Sequence, residues 1–315
     1  MLRLAIVGAG IMGSNHARVA GQVPGVSVTH IIDPDRRRGE VLAQSIGACF
    51  QPDIEALRGQ VDAAVVAVPT ALHLSVGLQL MESGIHVLME KPIADRIEAA
   101  EELVTAANRS DVCLMVGHVE RFNPAVMELE SIVTSPIHLE ATRVSAYSNR
   151  VADGVIRDLM IHDIDVAVAI MGSEPSTITA LAQCVRGDSE DLAAALLGFP
   201  SGTTASLTAS RIGQQKIRRI QVTQPDDFVQ ADLVRQDVTI HRVQHAEFLT
   251  NEGRRYSQSG VIEIPYLRHR GEPLSLELAH FVECIRDGTR PRVSGEDGLR
   301  SLRLVERVRQ AAGVN

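Results

Sequence analysis

The stretch LRLAIVGAGIMGSNHARV, residues 2–19, decides the fold of this chain. Its first six residues are almost all apolar, which predicts a buried β-strand, and a pattern of helical period follows directly. Between the two stand Gly8, Gly10 and Gly13, spaced as G-x-G-x-x-G. In this context the glycines allow a tight turn, close approach of the backbone to a pyrophosphate, and close packing of helix on strand. The stretch therefore predicts the first strand, turn and helix of a dinucleotide-binding domain.

The same alternation of strand and helix continues to about residue 118. Four more apolar runs of strand length follow the first, and each is separated from the next by a stretch of helical period; the runs cover residues 26–33, 61–69, 85–90 and 112–118. Strands that are apolar on both faces and alternate with helices predict a parallel sheet covered on both sides. We therefore predict a Rossmann-type, doubly wound parallel α/β domain over residues 1–121.

The pattern changes in the remainder, residues 122–315, which we predict to form a second, α+β domain. One helix follows Pro124 and another covers 153–171, and six strand-like segments joined by short turns lie between 176 and 242. Two helices near 274–287 and 295–311 come last, whereas residues 243–259 are polar, lack a clear period and are predicted to be loop. Successive strands with short turns predict an open, predominantly antiparallel sheet with helices on one face.

Composition narrows the class of protein. The chain has 315 residues, of which 45% are hydrophobic and 22% charged, and its net charge is −8, which disfavours a nucleic-acid partner. It contains no apolar run of the roughly 18 residues that a membrane span needs, and its first residues form a strand pattern and not a signal peptide. Four cysteines lie far apart without a CxxC pair, which predicts free buried thiols in a reducing cytoplasm and no zinc site.

Asp33 indicates which dinucleotide is bound. It ends the second strand pattern, twenty residues after Gly13, where an acidic side chain accepts hydrogen bonds from the adenosine ribose and repels a 2′-phosphate. Ile11 and Met12 open the helix whose backbone N–H groups would face the phosphates. Asp33 therefore predicts NAD, while the arginines at 36–38 leave NADP open as the alternative.

In HVLMEKPIAD, residues 86–95, an apolar strand pattern is followed directly by Glu90, Lys91 and Pro92, which makes the charged residues candidates for a catalytic site. Lys91 follows the strand directly, and Asp158 and His162 stand four residues apart, on one face of a predicted helix. The alternative for Lys91 is the polar end of a strand, and the alternative for Asp158 and His162 is a surface ion pair. A metal site at Asp158 and His162 would lack a third ligand. Oxidation of an alcohol needs a proton acceptor, for which histidine is suited, and an ammonium would stabilise the developing alkoxide.

Long blocks of the chain resemble the glucose–fructose oxidoreductase/inositol dehydrogenase family, often written Gfo/Idh/MocA. These blocks cover residues 8–19, 66–92, 154–167 and 275–306, and the E-K-P at 90–92 is the family's hallmark. The resemblance implies that Glu90 lies at the nicotinamide end of the cofactor and that Lys91 contacts the reacting hydroxyl, with Asp158 and His162 completing the site. It also implies that Pro69, Thr70 and His73, which match the family segment after one of the long strands, line the cofactor.

A shorter segment bears on the substrate. GHVERFNPAV, residues 117–126, resembles the branch of UDP-N-acetylglucosamine 3-dehydrogenases, which oxidise the sugar C3 hydroxyl to a ketone that an aminotransferase using pyridoxal phosphate then aminates, for lipid A or another surface polysaccharide. The resemblance would bring Arg121 and Asn123 near the nicotinamide and the sugar, although Asn123 before Pro124 also fits a helix cap. Arg150 is a candidate for the diphosphate, as are other arginines of the second domain.

Two other functions stay open. One is oxidation of a free polyol, sugar or inositol, which the low aromatic content of 3% without tryptophan favours, because few rings are available to stack on uracil. The other is a catalytically silent, cofactor-binding regulator, which the presence of Lys91, Asp158 and His162 argues against. An open sheet leaves one face bare, so we expect it to be covered in a homodimer or homotetramer.

Overall fold

Strand β1 (Leu2–Val7) lies inside a six-stranded sheet in the computed structural model, which describes residues 1–147, 153–250 and 253–314. The other strands of this sheet are β2 (Val26–Ile32), β3 (Cys49–Gln51), β4 (Ala63–Val66), β5 (His86–Glu90) and β6 (Leu114–Gly117). The helices that alternate with them are α1 (Ile11–Ala20), α2 (Arg36–Ile46), α3 (His73–Glu82) and α4 (Ile97–Ser110). The strand order is β3-β2-β1-β4-β5-β6 and every pair is parallel, so the predicted doubly wound sheet is confirmed.

The rest of the chain contributes a second sheet and four helices. Its strands are β7 (His138–Val144), β8 (Thr177–Gln183), β9 (Leu192–Gly198), β10 (Thr204–Ser210), β11 (Ile217–Thr223), β12 (Phe228–Asp232), β13 (Asp237–Thr250) and β14 (Gly253–Glu263). Its helices are α5 (Pro124–Ile132), α6 (Ile161–Met171), α7 (Pro273–Asp287) and α8 (Gly295–Ala311). The sheet order is β14-β13-β12-β11-β7-β10-β9-β8, and all neighbours are antiparallel except β7 and β10. The predicted open, mostly antiparallel sheet with helices is therefore confirmed.

The division into compact units differs from the continuous domains 1–121 and 122–315 that the sequence predicts. The first unit comprises Met1–Phe122 together with Gly271–Leu304, and the second comprises Asn123–Arg270 together with Val305–Asn315. The reason is burial: Leu278 and Phe281 of α7 have no exposed surface and belong to the same apolar core as β1 and β5. A helix pattern alone does not indicate which sheet a helix will cover.

Three local predictions need correction. The region 243–259 is not loop, because β13 and β14 form a long hairpin, paired from Ile240–Glu263 to Thr250–Gly253. Backbone hydrogen bonds, which no side-chain pattern reveals, hold this hairpin together. Strand β7 was not predicted although it occupies the middle of the sheet, and the helix over 153–171 contains a π-helical turn, Ile156–Met160, before α6.

The cysteines and the membrane criterion complete the description. All four cysteines are free, but Cys49 and Cys184 are exposed, so the prediction of buried thiols is wrong for these two. Within the described ranges, no helix combines the length and the apolar composition that crossing a bilayer would require.

Candidate active site

The turn between β1 and α1 is built on two glycines that leave no room for a side chain. Gly8 has a φ of +99°, and a Cβ on it would lie 2.5 Å from the carbonyl oxygen of Ala67. A Cβ on Gly13 would lie 1.7 Å from the carbonyl oxygen of Gly8, so α1 packs directly against the turn. Both positions therefore require glycine.

Gly10 differs because the space around it is open. A Cβ built there would meet no atom of the described chain within 4 Å outside its immediate neighbours. Gly10 precedes α1 without a side-chain cap, and Ile11 and Met12 begin the helix with 64% and 37% of their surface exposed. The first N–H groups of a helix lack partners within it and attract anions. This cradle fits the pyrophosphate of a dinucleotide.

Asp33 follows β2 and is almost fully buried, with 1% of its surface exposed. Its carboxylate accepts hydrogen bonds from the backbone N–H of Ala9 at 2.7 Å and of Asp35 at 2.8 Å, and from Arg38 Nη2 at 2.7 Å and Nε at 3.1 Å. Burial works to raise the pKa of Asp33, but the hydrogen bonds from Arg38, Ala9 and Asp35 outweigh it and hold the pKa below its usual value. A fixed negative charge therefore stands at the end of β2.

The three arginines at 36–38 have different surroundings. Arg36 Nε lies 2.8 Å from Glu40 Oε1 along the outside of α2, and Arg38 is paired with Asp33. A cavity of about 340 Å³ opens beside this pair; it is lined by Ala9, Ser14, Asp35, Arg37, Arg38, Val41, Leu42 and Ser45. The cavity adjoins the glycine turn, where the adenosine end of a dinucleotide belongs in this fold.

Pro69, Thr70 and His73 form the turn from β4 into α3. His73 keeps 1% of its surface exposed, and its ring lies between backbone carbonyl oxygens: Nε2 is 3.1 Å from Val68 O and Nδ1 is 3.0 Å from Pro92 O. Burial lowers the pKa of His73, and the carbonyl contacts oppose that only in part. His73 thus joins the turn after β4 to the segment that carries Lys91, through ring nitrogens that contact only backbone carbonyl oxygens in the described part of the chain.

Glu90 ends β5 and has a buried partner that sequence reasoning missed. His16 Nε2, on α1, lies 2.7 Å from Glu90 Oε1, and the backbone N–H of Lys91 donates to Glu90 Oε2 at 3.3 Å. Burial alone would raise the pKa of Glu90, but the hydrogen bond and charge of His16 and the charge of Lys91 lower it. The only signal for His16 in the sequence is its place three residues after Gly13. The half-buried Lys91 then leaves the sheet at the carboxyl end of β5.

Asp158 and His162 belong to the second unit and lie on either side of a change in helix type. Asp158 is in the π-helical turn, and His162 is the second residue of α6. Both are half-buried, whereas Ile161 and Asp163 next to His162 are buried. The backbone N–H of Ile156 at the start of the π turn donates to Glu190 Oε1 at 3.2 Å, which anchors this end of the helix. Single π-helical turns occur frequently at functional sites.

A buried ion pair anchors α6 to strand β7. Arg143 on β7 donates from Nε to Asp163 Oδ2 at 2.9 Å and from Nη2 to Asp163 Oδ1 at 2.8 Å. The two side chains keep 2% and 4% of their surface exposed. Two parallel hydrogen bonds between planar groups define their relative orientation. The pair therefore restrains the rotation of α6 about its axis.

The three candidate substrate-binding residues differ in their surroundings. Asn123 caps α5, since its Oδ1 accepts from the Ala125 N–H at 3.1 Å, while its Nδ2 donates to Leu233 O at 3.0 Å, so the helix-cap interpretation is confirmed. Arg121, in a short 3-10 turn of the first unit, keeps 8% of its surface exposed. Arg150 lies outside the described residues.

Three other arginines considered for a diphosphate already have carboxylate partners. Arg143 is held by Asp163, and Arg157 Nη2 lies 2.7 Å from Glu306 Oε1. Arg211 Nε donates to the buried Asp191 at 2.5 Å, and this pair, with the N–H groups of Val185 and Arg186, lowers the pKa of Asp191 to about 2 against the effect of its burial. These guanidinium groups stabilise the second unit itself. Across the described part of the chain, no group of three His, Cys, Asp or Glu side chains is placed to hold a metal ion.

The first unit defines the class of protein. A parallel sheet in the order β3-β2-β1-β4-β5-β6, an open glycine turn at a helix N-terminus and a buried acid after β2 make a dinucleotide-binding oxidoreductase domain. In agreement, a family model described as an oxidoreductase family with an NAD-binding Rossmann fold matches residues 2–118, and one described as the GFO/IDH/MocA C-terminal domain matches residues 125–224. The chain belongs to the Gfo/Idh/MocA family and is an NAD-dependent oxidoreductase.

Its relatives act on sugars and related alcohols. The UDP-N-acetylglucosamine 3-dehydrogenase of Acidithiobacillus ferrooxidans is 30% identical over 76% of this chain and 77% of its own. The crystal structure of that enzyme matches with a TM-score of 0.88 at 28% identity, covering 98% of this chain and 97% of the other. The NAD-dependent scyllo-inositol 2-dehydrogenase of Bacillus subtilis is 26% identical over 96% of this chain and 92% of its own.

Proposed function

We propose that this enzyme oxidises the C3 hydroxyl of UDP-N-acetylglucosamine to a ketone with NAD. The observation that carries the proposal is the likeness to the Acidithiobacillus enzyme, with 30% identity over 76% of this chain and a TM-score of 0.88 over 98% of it. The segment 117–126 supports the same branch.

The reaction requires a hydride acceptor and a proton acceptor. When bound, NAD accepts the hydride from the sugar carbon. His162 accepts the hydroxyl proton, because an imidazole exchanges protons near neutral pH. Lys91 donates a hydrogen bond to the same oxygen and stabilises its developing negative charge, and Asp158 orients His162 or contacts the sugar. The reverse assignment, with Lys91 as proton acceptor, uses the same residues.

The cofactor is held by groups of the first unit. The N–H groups at Ile11 and Met12 bind the pyrophosphate over Gly10, Asp33 accepts from the ribose hydroxyls, and Pro69, Thr70 and His73 shape the wall after β4. Glu90 and Lys91 end the strand that serves the nicotinamide half. Arg121 and Arg150 are the proposed substrate contacts, whereas Asn123 contributes as the cap of α5.

A second candidate is a dehydrogenase of a free polyol or inositol. It is favoured by the length of the match to scyllo-inositol 2-dehydrogenase, 96% of this chain, and by the low aromatic content. The pairing of Arg143, Arg157 and Arg211 with carboxylates points the same way, because a diphosphate would have to find other cations.

The proposal also covers the enzyme that would consume the product and the oligomeric state. The product ketone would be consumed by an aminotransferase using pyridoxal phosphate, in a cytoplasmic route to amino sugars of lipid A or another polysaccharide. Leu181 and Leu196, on the neighbouring strands β8 and β9 at one edge of the second sheet, are 76% and 50% exposed. We propose that a second copy covers this apolar surface in a homodimer or homotetramer; light scattering that finds a monomer at micromolar concentration would exclude it.

The deciding experiment incubates the purified protein with NAD and either UDP-N-acetylglucosamine or myo-inositol. Absorbance reports reduced NAD, and mass spectrometry searches for a UDP-sugar about two mass units lighter, because two hydrogens leave the alcohol. A lighter UDP-sugar supports the first proposal. Reduction of NAD by myo-inositol alone overturns it and supports the second.

A further inference from the structure

A second buried carboxyl lies behind Glu90. Glu277, on α7, has no exposed surface, and neither of its oxygens has a hydrogen-bond partner among the residues that the structure describes. Burial raises the pKa of Glu277 well above its usual range, and the negative charge of Glu90 raises it further. Burial without a hydrogen-bond partner therefore favours the protonated, neutral form of Glu277.

Glu90 is the charged member of this pair. Its carboxylate has the 2.7 Å contact with His16 Nε2 and accepts from the Lys91 N–H, whereas Glu277 has neither. Two interacting buried carboxyls that hold one proton between them carry a single negative charge. The contacts assign that charge to Glu90 and the proton to Glu277.

Glu90 is also the one residue of this cluster that keeps some exposed surface. Glu90 keeps 9% of its surface exposed, while His16 and Glu277 keep none. Glu90 is the last residue of β5, paired with Gly117 of β6, in the half of the sheet that receives the second nucleotide of a dinucleotide at its carboxyl edge. In NAD the second nucleotide carries the nicotinamide.

We propose that Glu90 makes this site distinguish the two redox forms of its cofactor, binding NAD⁺ in preference to NADH. The nicotinamide ring is a cation in NAD⁺ and neutral in NADH, so the negative charge of Glu90, which offsets the positive charges of His16 and Lys91 at the end of β5, shifts the relative affinity toward the oxidised form. Glu277 supports this role by keeping its proton, which limits the charge to one. The consequence for an alcohol-oxidising enzyme is easier release of NADH. The inference rests on the cofactor class and is independent of the substrate proposed above.

The test compares affinities and needs no turnover. Kd values for NAD⁺, by calorimetry, and for NADH, by fluorescence, are measured for the wild type, E90Q and E277Q. We expect E90Q to raise the ratio Kd(NAD⁺)/Kd(NADH) about tenfold, the lower end of the effect of an opposite charge within ~4–6 Å. A tenfold change corresponds to about 30 mV in the two-electron potential of the bound cofactor. In E277Q we expect the ratio to stay within about twofold of the wild type, because the amide is as neutral as the protonated acid.

Two results overturn the proposal. If E90Q leaves the ratio unchanged, or weakens both forms equally, Glu90 does not distinguish them. If E277Q changes the ratio as much as E90Q does, the charge belongs to Glu277. If E90Q does not fold, we expect E90A to raise the ratio Kd(NAD⁺)/Kd(NADH) in the same way. E90D keeps the charge, so its ratio should stay close to that of the wild type.

Discussion

Arg38 binds Asp33 through two nitrogens, Nη2 at 2.7 Å and Nε at 3.1 Å, and so covers the carboxylate that the sequence assigns to the ribose. Half of the Arg38 side chain, 51%, is exposed, while Asp33 is buried. The acid is thus held in place before any cofactor arrives, and the arginine forms a wall of the neighbouring cavity.

Replacing Asp33 should weaken the choice of NAD over NADP. In D33N the negative charge that repels a 2′-phosphate is lost and Arg38 is released, so we expect the ratio of NADP to NAD affinity to rise at least tenfold. Fluorescence titration with NADH and NADPH measures it. The control is D62N, the same substitution in the exposed Arg3–Asp62 pair, which should leave the ratio as it is. An unchanged ratio in D33N would assign the selection to other residues.

Two alanine substitutions in the glycine turn should have opposite phenotypes. G8A brings a Cβ to 2.5 Å from a backbone oxygen at a φ of +99°, so we expect a loss of folding stability of about 1–3 kcal/mol or more. G10A has free space, so its stability should stay within about 0.5 kcal/mol of the wild type, while NAD affinity falls because the methyl group occupies the pyrophosphate cradle. Urea unfolding and NAD titration separate the two. Wild-type affinity in G10A would show that the phosphates bind elsewhere.

Lys91 offers a matched control for catalysis, because Lys216 is the other lysine of the chain. We expect K91A to lower kcat by about 10²–10⁴, the range for loss of an acid–base or charge-stabilising group, and K216A to lower it by less than about twofold. H162A should lose activity in the same range. The readout is NADH absorbance with whichever alcohol proves to be the substrate. Full turnover in K91A would remove Lys91 from the chemistry.

Two ion pairs in the second unit should contribute differently to the free energy of unfolding, because one is buried and the other is partly exposed. D163L or R143M alone leaves a buried charge without its partner, so we expect each to cost about 3–5 kcal/mol in the free energy of unfolding. The double variant should recover most of that loss, because two apolar side chains replace both charges. R157A in the Arg157–Glu306 pair, whose side chains are about 30% exposed, should cost about 1 kcal/mol or less. Equal costs for the two pairs, by urea unfolding, would contradict this account.

Glu277 predicts a pH dependence of stability. Because the pKa of Glu277 is higher in the folded chain than the usual 4.5, the stabilising effect of its proton is complete below about pH 4.5 and is lost as pH rises toward the folded pKa. E277Q cannot titrate at this position, so its Tm relative to the wild type should rise as the pH increases above about 4.5. E283Q, which replaces an exposed glutamate of the same helix, is the control for the loss of a carboxyl group from α7. A Tm difference between E277Q and the wild type that does not change with pH would contradict this account.

The parts of the fold that could be predicted are those whose signal is local. The first strand, the glycine turn, the second strand and Asp33 follow one another within 33 residues, and each has its own pattern. The pairing of His16 with Glu90 spans 74 positions, and Glu277 approaches from the far end of the chain, so no window of sequence contains either relationship. Arg143 is one of the arginines of the second domain that the sequence offers as candidates for a diphosphate, because its charge is visible there and its pairing with Asp163 is not.

Pattern also fails where the backbone alone supplies the stabilisation. The hairpin of β13 and β14 carries polar residues and no clear alternation, yet its strands pair along eleven positions. The π-helical turn that carries Asp158 has a residue composition that an ordinary α-helix also tolerates. In both cases side-chain hydrophobicity, which is the quantity that a sequence pattern records, does not determine the conformation.

The discontinuity of the first unit has a consequence for the order of synthesis. Leu278 and Phe281 complete the core that begins at Leu4, but the whole of Asn123–Arg270 is translated before them. At about 5–20 residues per second, those roughly 150 residues delay the last core helix by about 7–30 s. The amino-terminal segment therefore leaves the ribosome first but waits for its last core helix, and during that interval its uncovered apolar surface is open to chaperones and to aggregation.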